Sequence, residues 1–101
     1  MAAYTTVTSS PATTTLITKG EAVSGNINKI TIANFSDNAA DATVNLFLND
    51  GTATDLYLCK NVAIPKGTTL ILSDNLAFDS EKYSLKMYST GTAPALTVII
   101  K

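Results

Sequence analysis

The residue types that the chain lacks narrow its possible chemistry. The 101 residues include no His and no Trp, and all seven basic residues are Lys. Without His, neither a Ser–His nor a Cys–His nucleophile pair can be built within one chain. The His-containing zinc sites are excluded for the same reason. We therefore expect a protein that is not an enzyme, with no catalytic residue, no cofactor and no metal.

Cys59 is the single thiol of the chain and cannot form an internal disulfide. A reactive thiol needs a nearby cation or a helix N-terminus that favours the thiolate. Lys60 is adjacent, but neighbouring side chains of a strand point to opposite faces. Because free Cys is among the most buried residue types, we predict that Cys59 is largely buried and unpaired.

Carboxylates gather in the predicted loops and turns. They are Asp37, Asp41, Asp50, Asp55, Asp74, Asp79 and Glu81. Their spacing does not match the calcium-binding EF-hand pattern, so turn formation is the favoured interpretation. Asp74, Asp79 and Glu81 are candidates for the paired carboxylates of a glycosidase, but they lie in turns and no Trp is present to hold a sugar, so this function is not expected.

Tyrosines are the strongest candidates for recognition, because exposed Tyr anchors protein and sugar interfaces. The chain has four of them. Tyr57 and Tyr88 lie on the strand faces opposite the leucines of their own strands, so we select these two as interface candidates. The alternative is that both are ordinary residues on the outer face of a sheet.

The charge balance narrows the possible partners. The net charge is −1, and only 15% of residues are charged, against about 25% in typical domains. A nucleic-acid footprint needs a clear positive excess, so no nucleic acid is expected. Apolar runs fall short of the about 20 residues that a membrane span requires, so no membrane is expected. A weakly charged chain tends to associate, and we expect a homo-oligomer.

The elements that must position these residues are short strands. Residues 43–49 alternate between apolar and polar, Asn49-Asp50-Gly51 supplies a turn, and residues 55–60 return as the second strand of a hairpin. Pro65-Lys66-Gly67 predicts a type I turn with Pro second and Gly fourth. Turns recur at intervals of about 8–12 residues. We predict an all-β, antiparallel β-sandwich of seven to eight short strands with Greek-key or jelly-roll connections.

Residues 13–101 are assigned to this sandwich. The last strand is the most apolar, so we expect it to be central. The predicted core between the two sheets consists of Val44, Leu46, Leu48, Leu70, Leu85, Leu96, Val98 and Ile100.

Residues 1–12 are predicted to form an extended N-terminal arm outside the domain. Ser9-Ser10-Pro11 should interrupt any strand pairing within the chain. Sandwiches present edge strands with unpaired backbone groups, so the arm could pair with a neighbouring subunit. Its candidate interface residues are Tyr4, Thr5, Thr6 and Val7. The alternative is a disordered tail.

The stretch from residue 30 to 101 resembles a group of small virion proteins of tailed bacteriophages. The shared elements are a strand ending in Asn34, a hairpin with the Asp50-Gly51 turn, the turn sequence Ile64-Pro65-Lys66-Gly67-Thr68 and a closing alternating strand. The resemblance implies a non-enzymatic structural protein, made in the bacterial cytoplasm and located in the virion.

The partners that this resemblance implies are other virion proteins. The first choice is a capsid decoration or cement protein bound to the major capsid protein. The alternatives are a neck, tail or baseplate component, or the glycan-binding head of a host-adhesion fibre. An exposed aromatic surface would favour adhesion, and contacts with a capsid chain would favour decoration.

Overall fold

The described part of the chain is entirely strand, turn and loop. A computed structural model describes residues 3–20, 27–35, 41–52, 55–73, 81–91 and 95–101. Within these ranges there are eight strands and no helix, which confirms the predicted all-β class. The strands are β1 (Ala3–Val7), β2 (Ala12–Ile17), β3 (Ile30–Asn34), β4 (Ala42–Asn49), β5 (Asp55–Ile64), β6 (Thr69–Leu72), β7 (Ser84–Gly91) and β8 (Leu96–Ile100).

The strands form nested antiparallel pairs. β1 pairs with β8, β2 with β7, β3 with β6 and β4 with β5. Such nesting is that of a long hairpin rolled into two sheets, the jelly-roll arrangement. Sheet 1 has the order β1-β8-β3-β6 and sheet 2 the order β2-β7-β4-β5. β8 has neighbours on both sides, which confirms its predicted central position.

The core lies between the two sheets and follows the alternation of the strands. Seven of the eight predicted core residues are buried. Leu70 is the exception: it is half-buried and packs against the core from β6, the edge strand of sheet 1. An edge position leaves one flank of a side chain uncovered. Further core members include Ile17, Ile27, Ile30, Ile32, Ile64 and Met87.

The β4–β5 hairpin forms as predicted. Gly51 has a φ of 91°, which favours glycine. The Gly51 amide donates to Asn49 Oδ1 at 2.8 Å, and the Thr52 amide donates to Asp50 Oδ1 at 2.9 Å. These side-chain acceptors hold the turn closed.

The turn before β6 differs from the predicted type I turn. The Thr68 amide donates to Pro65 O at 3.1 Å, so Pro65 is the first residue of the turn and not the second. Gly67 then falls at the third position with a φ of 75°. A positive φ at that position is typical of a type II turn.

β5 departs most from simple alternation. Its pairing with β4 shifts register twice, between Val44 and Leu46 and between Leu46 and Phe47. Leu56 and Leu58, the leucines assigned to the face opposite Tyr57, are both exposed. Leu58 is the extra residue at the shift between Leu46 and Phe47, and Leu56 sits on an edge strand.

Cys59 is only half-buried, so the prediction of a largely buried thiol is wrong in degree. It pairs with Leu46 and packs against the core, as expected for an inward side chain. Since β5 is an edge strand, one side of this residue is left uncovered.

The prediction that residues 3–7 form an arm outside the sandwich is wrong. These residues form β1, which pairs along its whole length with β8 of the same chain. Val7 is 5% exposed and belongs to the core. Ser9-Ser10-Pro11 does interrupt pairing, but it does so at the crossing from sheet 1 to sheet 2. There the Gly91 amide donates to Ser10 Oγ at 3.0 Å.

Candidate binding site on sheet 2

The outer face of sheet 2 carries the two selected tyrosines. Because Val44, Leu46 and Leu48 point into the core, the intervening Asn45 and Phe47 of β4 face outward. Tyr88 of β7 lies directly beside Asn45, and Tyr57 of β5 lies directly beside Phe47. The register of the sheet therefore brings both tyrosines to one surface.

These residues line one shallow, open groove of about 340 Å³. Asn45 and Phe47 are buried and form its floor, whereas Tyr57 and Tyr88 are 47% and 38% exposed. The lining residues are Thr13, Asn45, Phe47, Asp55, Tyr57, Lys60, Asn61 and Tyr88. The groove thus has aromatic walls that stand above a buried floor.

The β5 wall is an aromatic and cationic cluster. The rings of Phe47 and Tyr57 lie 5.5 Å apart between centroids, tilted by 46°. Lys60 Nζ lies 4.9 Å from the centroid of the Tyr57 ring, within the range of a cation–π contact. Strict alternation would put residues 57 and 60 on opposite faces. The bulge between Leu46 and Phe47, where β5 has one extra residue, brings both residues to the outer face.

Asn45 fixes the floor between three strands. Its Nδ2 donates to Tyr88 O of β7 at 3.3 Å, and its Oδ1 accepts a hydrogen bond from the Asn61 amide of β5 at 2.9 Å. Asn61 lies at the bulge between Val44 and Leu46 and has a φ of 55°. Asn tolerates this left-handed conformation better than most residues. The buried side-chain amide of Asn45 therefore compensates for the ladder hydrogen bonds that the bulge disrupts.

Asp55 supplies the acidic group of the groove. Asn49 Nδ2 donates to Asp55 Oδ1 at 2.6 Å, which fixes the carboxylate beside the start of β5. The residue is exposed, so the carboxylate remains accessible to a ligand. With Lys60, the groove carries one negative and one positive side chain.

The arrangement suits the binding of a partner. Two half-exposed tyrosine rings can cover apolar or flat groups of a partner. The polar groups beside them can accept or donate hydrogen bonds and so orient that partner.

The other selected residues lie elsewhere. Tyr4, Thr5, Thr6 and Val7 belong to β1 of sheet 1, so they are not part of the groove. Asn45, Phe47 and Lys60 were not selected from the sequence. The alternation of residues 43–49 already placed Phe47 on the outer face, where a large aromatic residue is a signal of an interface. Nothing local in the sequence marks the bulge that adds Lys60.

The described residues give no support to a calcium site or a glycosidase pair built from the carboxylates. Asp37, Asp74 and Asp79 lie outside them. Among the described residues, no three or more His, Cys, Asp or Glu side chains are grouped so as to hold a metal ion. In the same ranges, no helix is long and apolar enough to cross a membrane.

Comparisons with known proteins give no independent indication of what this groove binds. No protein-family model, curated protein or solved structure matches the chain. The assignment to a phage virion therefore stays a prediction, which rests on the sequence elements named above.

Proposed function

We propose that the chain is a non-enzymatic structural protein of a tailed-bacteriophage virion. It attaches to another virion protein through the groove on sheet 2, and a capsid decoration protein bound to the major capsid protein is the first choice. The observation that carries attachment through this groove is that Tyr57 and Tyr88 share it while half-exposed, and the choice of a capsid partner over a glycan rests on the sequence resemblance.

The groove has features of a protein-binding hot spot. Tyr is enriched at such positions, and the energetically important residues cluster near the centre of an interface. Phe47 and Asn45 hold the floor in place, so little conformational freedom is lost when a partner covers the rings. One Lys and one Asp give no strong field that would select a highly charged partner.

The fold agrees with this proposal but does not establish it. Jelly rolls occur in viral capsid proteins and also in lectins and enzymes. Because a fold hosts many functions, attachment is inferred from the groove, and the virion is inferred from the sequence resemblance.

A glycan-binding head of a host-adhesion fibre is the second candidate function. The observation in its favour is the exposed aromatic surface itself, beside the carboxylate of Asp55 and the exposed Asn61. Aromatic ring faces with a few fixed polar groups are a general arrangement for small-ligand recognition.

The test is attachment of the purified protein to phage particles assembled without it. The Tyr57→Ala/Tyr88→Ala double variant should bind at least about tenfold more weakly, because truncation of a hot-spot residue costs more than about 1–2 kcal/mol. Phe35→Ala is the matched control, since Phe35 is an exposed aromatic residue outside the groove. It should bind like the wild type.

Two outcomes would contradict the proposal. The first is wild-type binding by the double variant. The second is the absence of the wild-type protein from particles, together with saturable binding to a neutral glycan that the double variant loses. That result would establish the second candidate instead.

A further inference from the structure

We propose that the open edge of β1 pairs antiparallel with β1 of a second copy of the chain, which joins two copies of sheet 1 into one eight-stranded sheet. This interaction uses the sheet opposite the groove. It therefore goes beyond the proposed function and can be tested separately from it.

β1 is the least protected edge strand in the described part of the fold. The edges are β1 and β6 in sheet 1, and β2 and β5 in sheet 2. β5 contains two bulges and two charged residues, β2 contains a bulge, and β6 has only four residues. β1 has five residues, all uncharged, in unbroken register with β8. Natural proteins guard edges with charges, bulges or short strands, so an unguarded edge indicates a pairing partner.

Absence of charge extends across the whole of sheet 1. The strands read AYTTV, LTVII, ITIAN and TLIL, and none of these residues is charged. Solvated surfaces of small domains usually mix charges of both signs. An uncharged strand can meet an identical strand without like-charge repulsion, and charge is likewise depleted at the centre of protein interfaces.

Antiparallel pairing makes the β1 edge self-complementary. A twofold axis through Thr5, the middle residue of β1, gives the longest overlap of two copies. Tyr4 then lies opposite Thr6 of the partner subunit, and Thr6 opposite Tyr4 of the partner subunit. Tyr4 is 69% exposed in the single chain, and this pairing covers it with a β-branched side chain. A second copy thus satisfies both the free backbone groups and the exposed ring.

The contact is small, which sets the expected strength of association. Pairing of two five-residue strands falls below the about 1,200–2,000 Å² that stable interfaces bury. We therefore expect a reversible dimer whose population rises with protein concentration. Such weak contacts become effective where many copies are held close together.

Sedimentation equilibrium of the full chain tests the proposal. The wild-type average mass should rise with concentration from the 10.6 kDa of one chain towards twice that value. Tyr4→Lys/Thr6→Lys should stay monomeric, because the pairing would bring the added charges of the two copies opposite each other. Ile71→Lys/Thr69→Lys is the matched control, since these positions occupy the same two rows at the other edge of sheet 1.

A cross-linking variant tests the register directly. In a Cys59→Ser background, Thr5→Cys should give a covalent dimer on mild oxidation, because facing Cα atoms in antiparallel strands lie about 4.5–5.5 Å apart, within disulfide range. Leu70→Cys is the control at the opposite edge, in the same row as Thr5. A wild-type protein that stays monomeric at all concentrations overturns the proposal. Equal loss of association in both Lys variants, or a dimer that Thr5→Cys does not cross-link, overturns it too.

Discussion

Buried polar side chains at single positions hold the irregular parts of this sandwich. Asn34 ends β3 and is 2% exposed, and its Nδ2 donates to Ile64 O at 2.8 Å. Its backbone groups also bond to the turn, with Asn34 O accepting from the Gly67 amide at 2.9 Å. Asn34-Phe35-Ser36 also matches the acceptor pattern for N-glycosylation. A buried amide engaged in this way has a structural role.

Asn34→Ala should lower the free energy of unfolding by about 1–3 kcal/mol, because Ile64 O loses its donor. Phe35→Ala, at the exposed neighbouring position, should change it by less than about 0.5 kcal/mol. Urea denaturation of both variants measures the difference. Equal stability of the two variants would mean that the amide does not hold the turn.

Removal of the Ser89 side-chain hydroxyl, in the same core, should have the opposite effect on the free energy of unfolding. Its Oγ is buried and finds no hydrogen-bond partner among the described residues. Ser89→Ala removes an uncompensated polar group and should raise the free energy of unfolding by about 1 kcal/mol, or the Tm by about 4–8 °C for a domain of this size. Ser84→Ala on the same strand should lower it, because Ser84 Oγ accepts from the Lys19 amide at 2.8 Å. A lower Tm for Ser89→Ala would contradict this prediction, because it would mean that the Ser89 hydroxyl makes a stabilising hydrogen bond.

At the scale of elements, strands with one buried face were predictable, whereas the pairing of β1 and the bulges of β5 were not. β8 alternates between buried and half-buried residues, and the residues expected to point inward on β4 and β7 are buried, because each strand has a neighbour on both sides and a core beneath it. The bulge at Asn61 in β5 depends on the side chain of Asn45, on another strand, which accepts a hydrogen bond from the Asn61 amide. The position of β1 at the edge of sheet 1 depends on its pairing with β8, which is about 90 residues away in sequence. Neither contact leaves a local pattern.

Deletion of residues 1–8 tests whether β1 belongs to its own domain. Loss of the Val7 side chain from the core alone costs about 1.5–3 kcal/mol, and β8 also loses the backbone partners on one side. We expect a clearly lower Tm and faster amide exchange in β8, measured at concentrations where the chain is monomeric. Thr6→Ala, on the outer face of the same strand, is the control and should melt close to the wild type. An unchanged Tm for the deletion would restore the interpretation of a separate arm.

For the whole molecule, the jelly roll separates two surfaces on opposite sheets. Sheet 2 presents the groove with Tyr57 and Tyr88, and sheet 1 presents an uncharged face that ends at β1. The sequence predicted the fold class, most of the core and the outer-face position of Tyr57 and Tyr88 from strand periodicity. It did not predict the buried floor of the groove or the position of Lys60, because both arise from cross-strand register and bulges.

A cryo-electron microscopy map of the intact phage particle tests the central claim most directly. We expect density for this chain on the capsid, with Tyr57 and Tyr88 covered by the major capsid protein. Density at the neck, tail or baseplate with the same groove covered would keep the structural role and change its location. A particle that lacks the chain, or one in which the groove faces solvent while another surface makes the attachment, would contradict the account.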